Sequence, residues 1–176
     1  MLANVFAAVE MAANSTVPAT APADFQAGVF MGYYEQDVHD NITKCFGEDQ
    51  KAADLIDQMI ADVKAKDWKD IQTVAKSLAA EIKPHSDNCS STDPLVKSMY
   101  DNEEATAKAA EADPKLKSKI ISIALLHKKA IMSGNEAAIQ KLTAGDYYGA
   151  GIEYGKIEKI VAKPWSTPLP GAEFLN

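Results

Sequence analysis

The chain of 176 residues contains no arginine, and all 18 of its basic residues are lysine. Arginine supplies the planar, bidentate donor that phosphate and base-edge contacts favour. A chain without it, at net charge −7, is ill suited to nucleic acid, and that class is set aside. Long apolar runs are missing too. The longest, Ile120 to Leu126, is interrupted by Ser122 and falls far short of the ~20 residues a membrane-spanning helix needs. No transmembrane segment is expected.

Catalytic signatures are also lacking. The sequence has no glycine-rich phosphate loop, no CxxC, no HExxH and no GxSxG, the patterns that bring nucleophiles, metals or phosphates to a defined geometry. The reading is therefore not an enzyme, with no cofactor. Histidine is scarce. His39 lies between Asp37 and Asp40, but His39, His85 and His127 share no spacing that would converge three or four ligands on a metal. No metal is expected, and His127 reads as a core histidine on an apolar helix face.

What is present suits one globular domain. Apolar residues make up 47% and charged residues 24% of the chain, which excludes a wholly disordered protein. There are two cysteines, Cys45 and Cys89. Taken alone they could be buried thiols or a bridge. Three N-glycosylation sequons, at Asn14, Asn41 and Asn88, tilt the choice, because two of them sit beside the cysteines. Together they point to an oxidising compartment, hence a secreted or extracellular glycoprotein with one disulfide. Such a bridge stabilises by about 3–4 kcal/mol through loop-closure entropy. Met1 to Ala13 carries no basic residue and is interrupted by Asn4 and Glu10, so it makes at best a degenerate leader.

Periodicity predicts an all-α bundle of five to seven helices between extended Pro-rich termini. Residues 1–23 read as an apolar arm and a Pro/Ala/Thr linker, 24–163 as the bundle, and 164–176 as a Pro-rich tail. Asp24 would cap a first helix from Phe25. Ala52, Leu55, Ile56, Met59, Ile60 and Val63 fall on one face of a helix from Gln50 to Ala65, capped by Asp49. A second helix follows from Asp67, with Trp68, Ile71, Ala75, Leu78 and Ile82 on its apolar face, and Pro84 should stop it. Asp93-Pro94 opens the next helix. A helix after Pro114 should bury Leu116, Ile120, Ile123, Ala124, His127 and Ile131 and end at Gly134, followed by a short helix over 135–143. The last helix runs from about Asp146 to Lys163. The Glu103 to Lys119 stretch reads as a solvated face with i,i+4 ion pairs. No segment alternates with period two, so no sheet is expected.

Two patterns suggest function. Gly28-x-x-x-Gly32 and Gly151-x-x-x-Gly155 place two glycines on one helix face, at a cost of roughly 1 kcal/mol each relative to Ala. Close approach of the first and last helices would account for them. The tail combines three prolines with Trp165, Leu169, Phe174 and Leu175, a composition that docks rather than remaining solvated.

The stretch Phe25-Gln-Ala-Gly28-Val-Phe-Met-Gly32, the cysteine pair and the closing Gly145-Asp146-Tyr147-Tyr148-Gly149-Ala150-Gly151-Ile152-Glu153-Tyr154-Gly155 resemble a family of small secreted ciliate proteins. That family has an early FxxGxxxG helix, a recurrent cysteine pair and a closing GDYxxxGxxxG helix. The resemblance covers roughly residues 24–162 and implies fold and compartment, but no catalytic residue. The absence of arginine fits an AT-rich genome of that kind.

The functional expectation is a structural or interaction protein that self-associates, as a homo-oligomer or as the repeating subunit of an extracellular filament or surface coat. Its apolar termini would dock on the next copy. The alternative is a secreted carrier of a lipid or pigment held inside the bundle, although the helix stripes read foremost as a filled core.

Overall fold

The computed structural model describes residues 17–65 and 67–166. The arm 1–13, Asn14, and the tail residues Leu169, Phe174 and Leu175 lie outside the described residues, as do the side chains of Trp68 and Ile71. Among the described residues there are eight helices and no strand. They are α1 (Ala21–Tyr34), α2 (His39–Phe46), α3 (Gln50–Ala65), α4 (Trp68–Thr92), α5 (Pro94–Glu111), α6 (Leu116–Leu126), α7 (Lys128–Thr143) and α8 (Tyr147–Ala162). The all-α class is as the periodicity implied, and the helix count exceeds it by one.

Local chemistry sets most boundaries. The Asp49 carboxylate accepts the Ala52 amide at 2.9 Å, and Asp93 accepts the amides of Leu95 and Val96 with Pro94 at the first helical position. Asp146 accepts the Gly149 amide. These side chains satisfy amides that the first turn leaves without a partner. α1 begins at Ala21 rather than at Phe25. Pro22 is compatible with a first turn, Ala21 and Ala23 are buried, and Asp24 lies inside the first turn instead of capping it. The helix ends where Glu35 turns left-handed, at φ 59°.

Three further corrections concern the helices. First, α4 passes through Pro84 and continues to Thr92, with Cys89 on it. Proline in a helix interior removes one hydrogen bond and normally breaks or kinks the helix. Here tertiary contacts hold the segment beyond it. His85 stacks on Phe46 at 4.5 Å and reaches the Phe46 carbonyl at 2.8 Å and the Asp49 carboxylate at 2.9 Å. Asn88 donates to the Cys45 carbonyl, and Cys45 and Cys89 are disulfide-bonded with Cα atoms 4.9 Å apart. Second, Gly134 does not end a helix. The break falls at His127, where φ −108° and ψ 18° leave the helical region, and α7 runs on through Gly134. A Cβ on Gly134 would lie 3.1 Å from the Ile157 side chain, so the glycine lets α7 settle closely on α8. Third, α2 is a helix that the periodicity did not pick out, with Ile42 and Phe46 buried.

The core has two parts. One joins Ala27, Phe30, Ile42, Phe46, Cys89 and Met99 from α1, α2, α4 and α5. The other joins Val17, Ala52, Ile56, Ile60 and Leu78 beneath α3 and α4. Helices α1 and α8 form the most intimate pair. A Cβ on Gly28 would fall 2.1 Å from the Tyr148 carbonyl oxygen, and one on Gly32 equally close to that of Ile152. On the opposing helix, a Cβ on Gly151 would meet the Phe25 oxygen at 2.1 Å and one on Gly155 the Val29 oxygen at 2.2 Å. Each glycine thus presents a Cα–H to a carbonyl of its neighbour, a contact worth about 0.5–1 kcal/mol.

Candidate functional site

Two features stand out once the helices are packed. The first is an apolar groove of about 630 Å³ between α1, α3, α4, α5, α7 and α8, within the 300–1,000 Å³ range of ligand sites. Ile60, Val63, Leu78, Ile82, Leu142 and Tyr154 supply much of its wall. Met99 and Val96 on α5 face the core, and the three-and-four spacing that follows them carries Glu103 and Thr106 inward as well. Glu103 lines this groove and also an adjoining cavity of about 330 Å³, which Thr106, Glu158, Tyr33 and Trp165 help to enclose.

The electrostatics of this junction are unusual. Burial, reinforced by the nearby Glu158 carboxylate, pushes Glu103 up to about 8. Burial raises Glu158 as well. No hydrogen bond or ion pair to either carboxylate is found among the described residues. Two hydroxyls beside them are buried, Tyr100 Oη next to Ser86 and Thr106 Oγ1 next to Tyr33. Tyr34 donates to the Met99 carbonyl at 2.9 Å, and burial raises its phenol well above the usual range. Buried polar atoms without partners are uncommon and costly.

This arrangement has a consequence for stability. Between the ordinary carboxylate range and about pH 8, folded Glu103 holds a proton that the unfolded chain has released. The folded state binds more protons in that window, so stability falls as pH rises through it, and Glu158 acts in the same direction. Thermal melts should give a lower Tm at pH 8 than at pH 6, and Glu103→Gln should remove much of the decline. Parallel pH curves for the two chains would contradict this.

The second feature is an apolar face on α6 and the start of α7. The buried stripe expected there is corrected by the structure: α6 has no buried residue. Ile120 is 41% exposed, Ile121 51%, Leu125 71%, Leu126 80% and Met132 60%. Ala124 and His127 are exposed too, so His127 is no core histidine. Spacing alone could not have shown this. A stripe says which side of a helix is apolar, not whether another element is there to cover it.

Trp165 lies next to this helix. Its indole donates to the Asp113 carboxylate at 2.8 Å, and the Lys119 ammonium sits 5.6 Å over its ring. Lys119 also pairs with Asp113 at 2.6 Å. These hydrogen bonds, from Lys119 first and Trp165 second, hold Asp113 down to about 2. The root of the tail is thereby fixed at the start of α6.

The remaining residues of interest are separate from both features. Asn41 is exposed and donates to the Asp93 cap. Asn88 is exposed in the last turns of α4. His39 contacts Asp24 at 2.9 Å and lies edge-on to Tyr148, beside Asp37 and Asp40 in a shallow depression. Among the described residues no three side chains converge on a metal position, and no helix is long and apolar enough to cross a membrane. The i,i+4 pairing expected near Glu103 is made by Glu104 with Lys108 at 2.5 Å, while Glu103 turns inward. Its place on the stripe Val96, Met99, Glu103, Thr106 was the signal that could have revealed it.

No family model, curated protein or solved structure matches this chain. What the fold defines is an all-helical bundle with one disulfide.

Proposed function

We propose that this protein is a secreted structural or interaction protein that self-associates, with the C-terminal residues of one copy docking on the α6 and α7 face of the next. The observation that carries this reading is that Leu125, Leu126 and Met132 share one open cleft on α6 and α7, with Ile121 one turn before Leu125, each at least half exposed. Contiguous apolar surface of this kind marks interaction sites in soluble proteins.

The occupant is suggested by where the chain leaves the bundle. Trp165 is pinned to Asp113 at the start of α6. Residues 167–176 carry Leu169, Phe174 and Leu175 and, extended at about 3.3 Å per residue, reach about 33 Å. That exceeds the ~16 Å length of an 11-residue helix, enough to cross to a neighbour. A tail on one copy and a face on the next make a heterologous contact, which propagates when its rotation does not close. The disulfide supports an oxidising compartment.

Light scattering and negative-stain imaging of the full chain should show species larger than a monomer. A chain ending at Ser166 should be monomeric under the same conditions. A truncated chain that assembles as well as the full one would overturn tail docking.

A further inference from the structure

We infer that the groove between α1, α3, α4, α5, α7 and α8 is a binding site for a long-chain primary amine, with its hydrocarbon body against the apolar wall and its ammonium at Glu103 and Glu158. This is independent of the assembly reading and would stand if that failed.

The size and lining come first. The groove holds about 630 Å³, and Ile60, Val63, Leu78, Ile82 and Leu142 offer an apolar wall that a hydrocarbon chain can cover. Burying such a chain gains about 25 cal/mol per Å². At the inner end of this wall stand the polar groups that fix an orientation. Glu103 belongs to both the groove and the smaller cavity behind it, and Glu158 faces it from α8.

The charge pattern selects a cation. Two carboxylates in apolar surroundings, with no lysine opposite, lack the counter-ion that would let them ionise cheaply. The lysine on the groove wall, Lys83, is exposed and paired with Asp87 at 3.2 Å. The other groups facing Glu103 are phenols, namely Tyr100 on its own helix, Tyr33 and Tyr34 on α1, and Tyr154 on α8. Their rings attract a cation further. An anionic or neutral amphiphile would meet the same carboxylates as repulsion or as unmatched polar surface.

Hydrogen bonding at Glu103 selects a primary amine over a quaternary one. A primary ammonium brings three donors, which the Glu103 carboxylate on the groove wall can accept. A quaternary head has no donor and would leave the carboxylate buried and unsatisfied.

Ionised Glu103 binds the ammonium and protonated Glu103 does not. Affinity should therefore rise from pH 6 to pH 8, as the carboxyl gives up its proton, and then level off. Glu158 and the four phenols hold no competing positive charge, and Lys83 remains charged throughout that range.

Isothermal titration of the full chain with dodecylamine, below its micelle concentration at pH 8, tests this. The expected result is one site, at least tenfold tighter than for dodecanoate or dodecanol, weakening at least tenfold on going to pH 6. Glu103→Gln should lose at least tenfold in amine affinity and Glu103→Asp should retain part of it. The exposed control Glu104→Gln should match the parent. Similar binding of all three amphiphiles, no amine binding by the parent chain, or an unchanged affinity in a folded Glu103→Gln protein would each overturn the proposal.

Discussion

Replacing Gly151 by alanine should destabilise the protein by about 2 kcal/mol, among the largest effects of any single methyl in the chain. The added Cβ would lie 2.1 Å from the Phe25 carbonyl oxygen and 2.9 Å from the Val29 amide nitrogen, and neither belongs to a flexible side chain. Relief requires α1 and α8 to move apart by about 1 Å, which loosens the reciprocal contacts at Gly28, Gly32 and Gly155. Overpacking of this kind costs 1–3 kcal/mol and occasionally more, against the ~1 kcal/mol that alanine gains in a helix. Gly134→Ala provides the contrast. Its Cβ would meet the Ile157 side chain at 3.1 Å, which can shift by a few tenths of an ångström. That variant should stay within about 1 kcal/mol of the parent. Urea unfolding of the three proteins measures both, and equal midpoints for Gly151→Ala and Gly134→Ala would contradict the close packing of α1 on α8.

Loss of the disulfide should cost about 4 kcal/mol, from closing a loop across a sequence separation of 44. The effect should also be local. Cys45–Cys89 is one of the contacts that keep α4 helical beyond Pro84, together with His85 on Phe46 and Asp49 and Asn88 on the Cys45 carbonyl. In Cys45→Ser/Cys89→Ser, the amides of 85–92 should exchange with solvent much faster than those of 50–65. Hydrogen exchange read by mass spectrometry reports this directly. A uniform rise across both segments would mean that α4 needs no such clamp.

How far the sequence revealed this molecule depends on the scale of the cause. Elements fixed by neighbours in the chain were legible. Asp49, Asp93 and Asp146 cap helices because a short acceptor side chain reaches amides two or three residues on. The helix Gln50–Ala65 follows from its stripe of apolar residues. Elements fixed by distant contacts were not. Pro84 has the chemistry of a helix breaker, and only its partners some 40 residues earlier in the chain, Phe46, Asp49 and Cys45, keep the helix intact. Gly134 likewise reads as a stop until Ile157 on α8 is in place.

The candidate sites divide in the same way. The tail and its aromatic residues were visible in composition, because prolines beside Trp165 and Phe174 are anomalous wherever they fold. The face they are proposed to meet was not: the stripe read on this segment was Leu116, Ile120, Ile123, Ala124, His127 and Ile131, whereas Ile121, Leu125, Leu126 and Met132 lie off it and are exposed. Glu103 was taken with its neighbours as solvated surface. Glu104 does pair with Lys108 in solvent, but one residue's difference rotates a side chain by ~100° around the helix and places Glu103 between two cavities.

Sedimentation velocity over a wide concentration range, comparing the full chain with Leu125→Glu/Leu126→Glu, tests the proposed self-association most directly. Both side chains are largely solvent-exposed, at 71% and 80%, so the substitutions leave the bundle's core intact and should not change its circular dichroism. The account predicts concentration-dependent assembly of the parent and a monomer for the variant throughout. A parent chain that is monomeric at the highest concentration, or a variant that assembles like the parent, would contradict it.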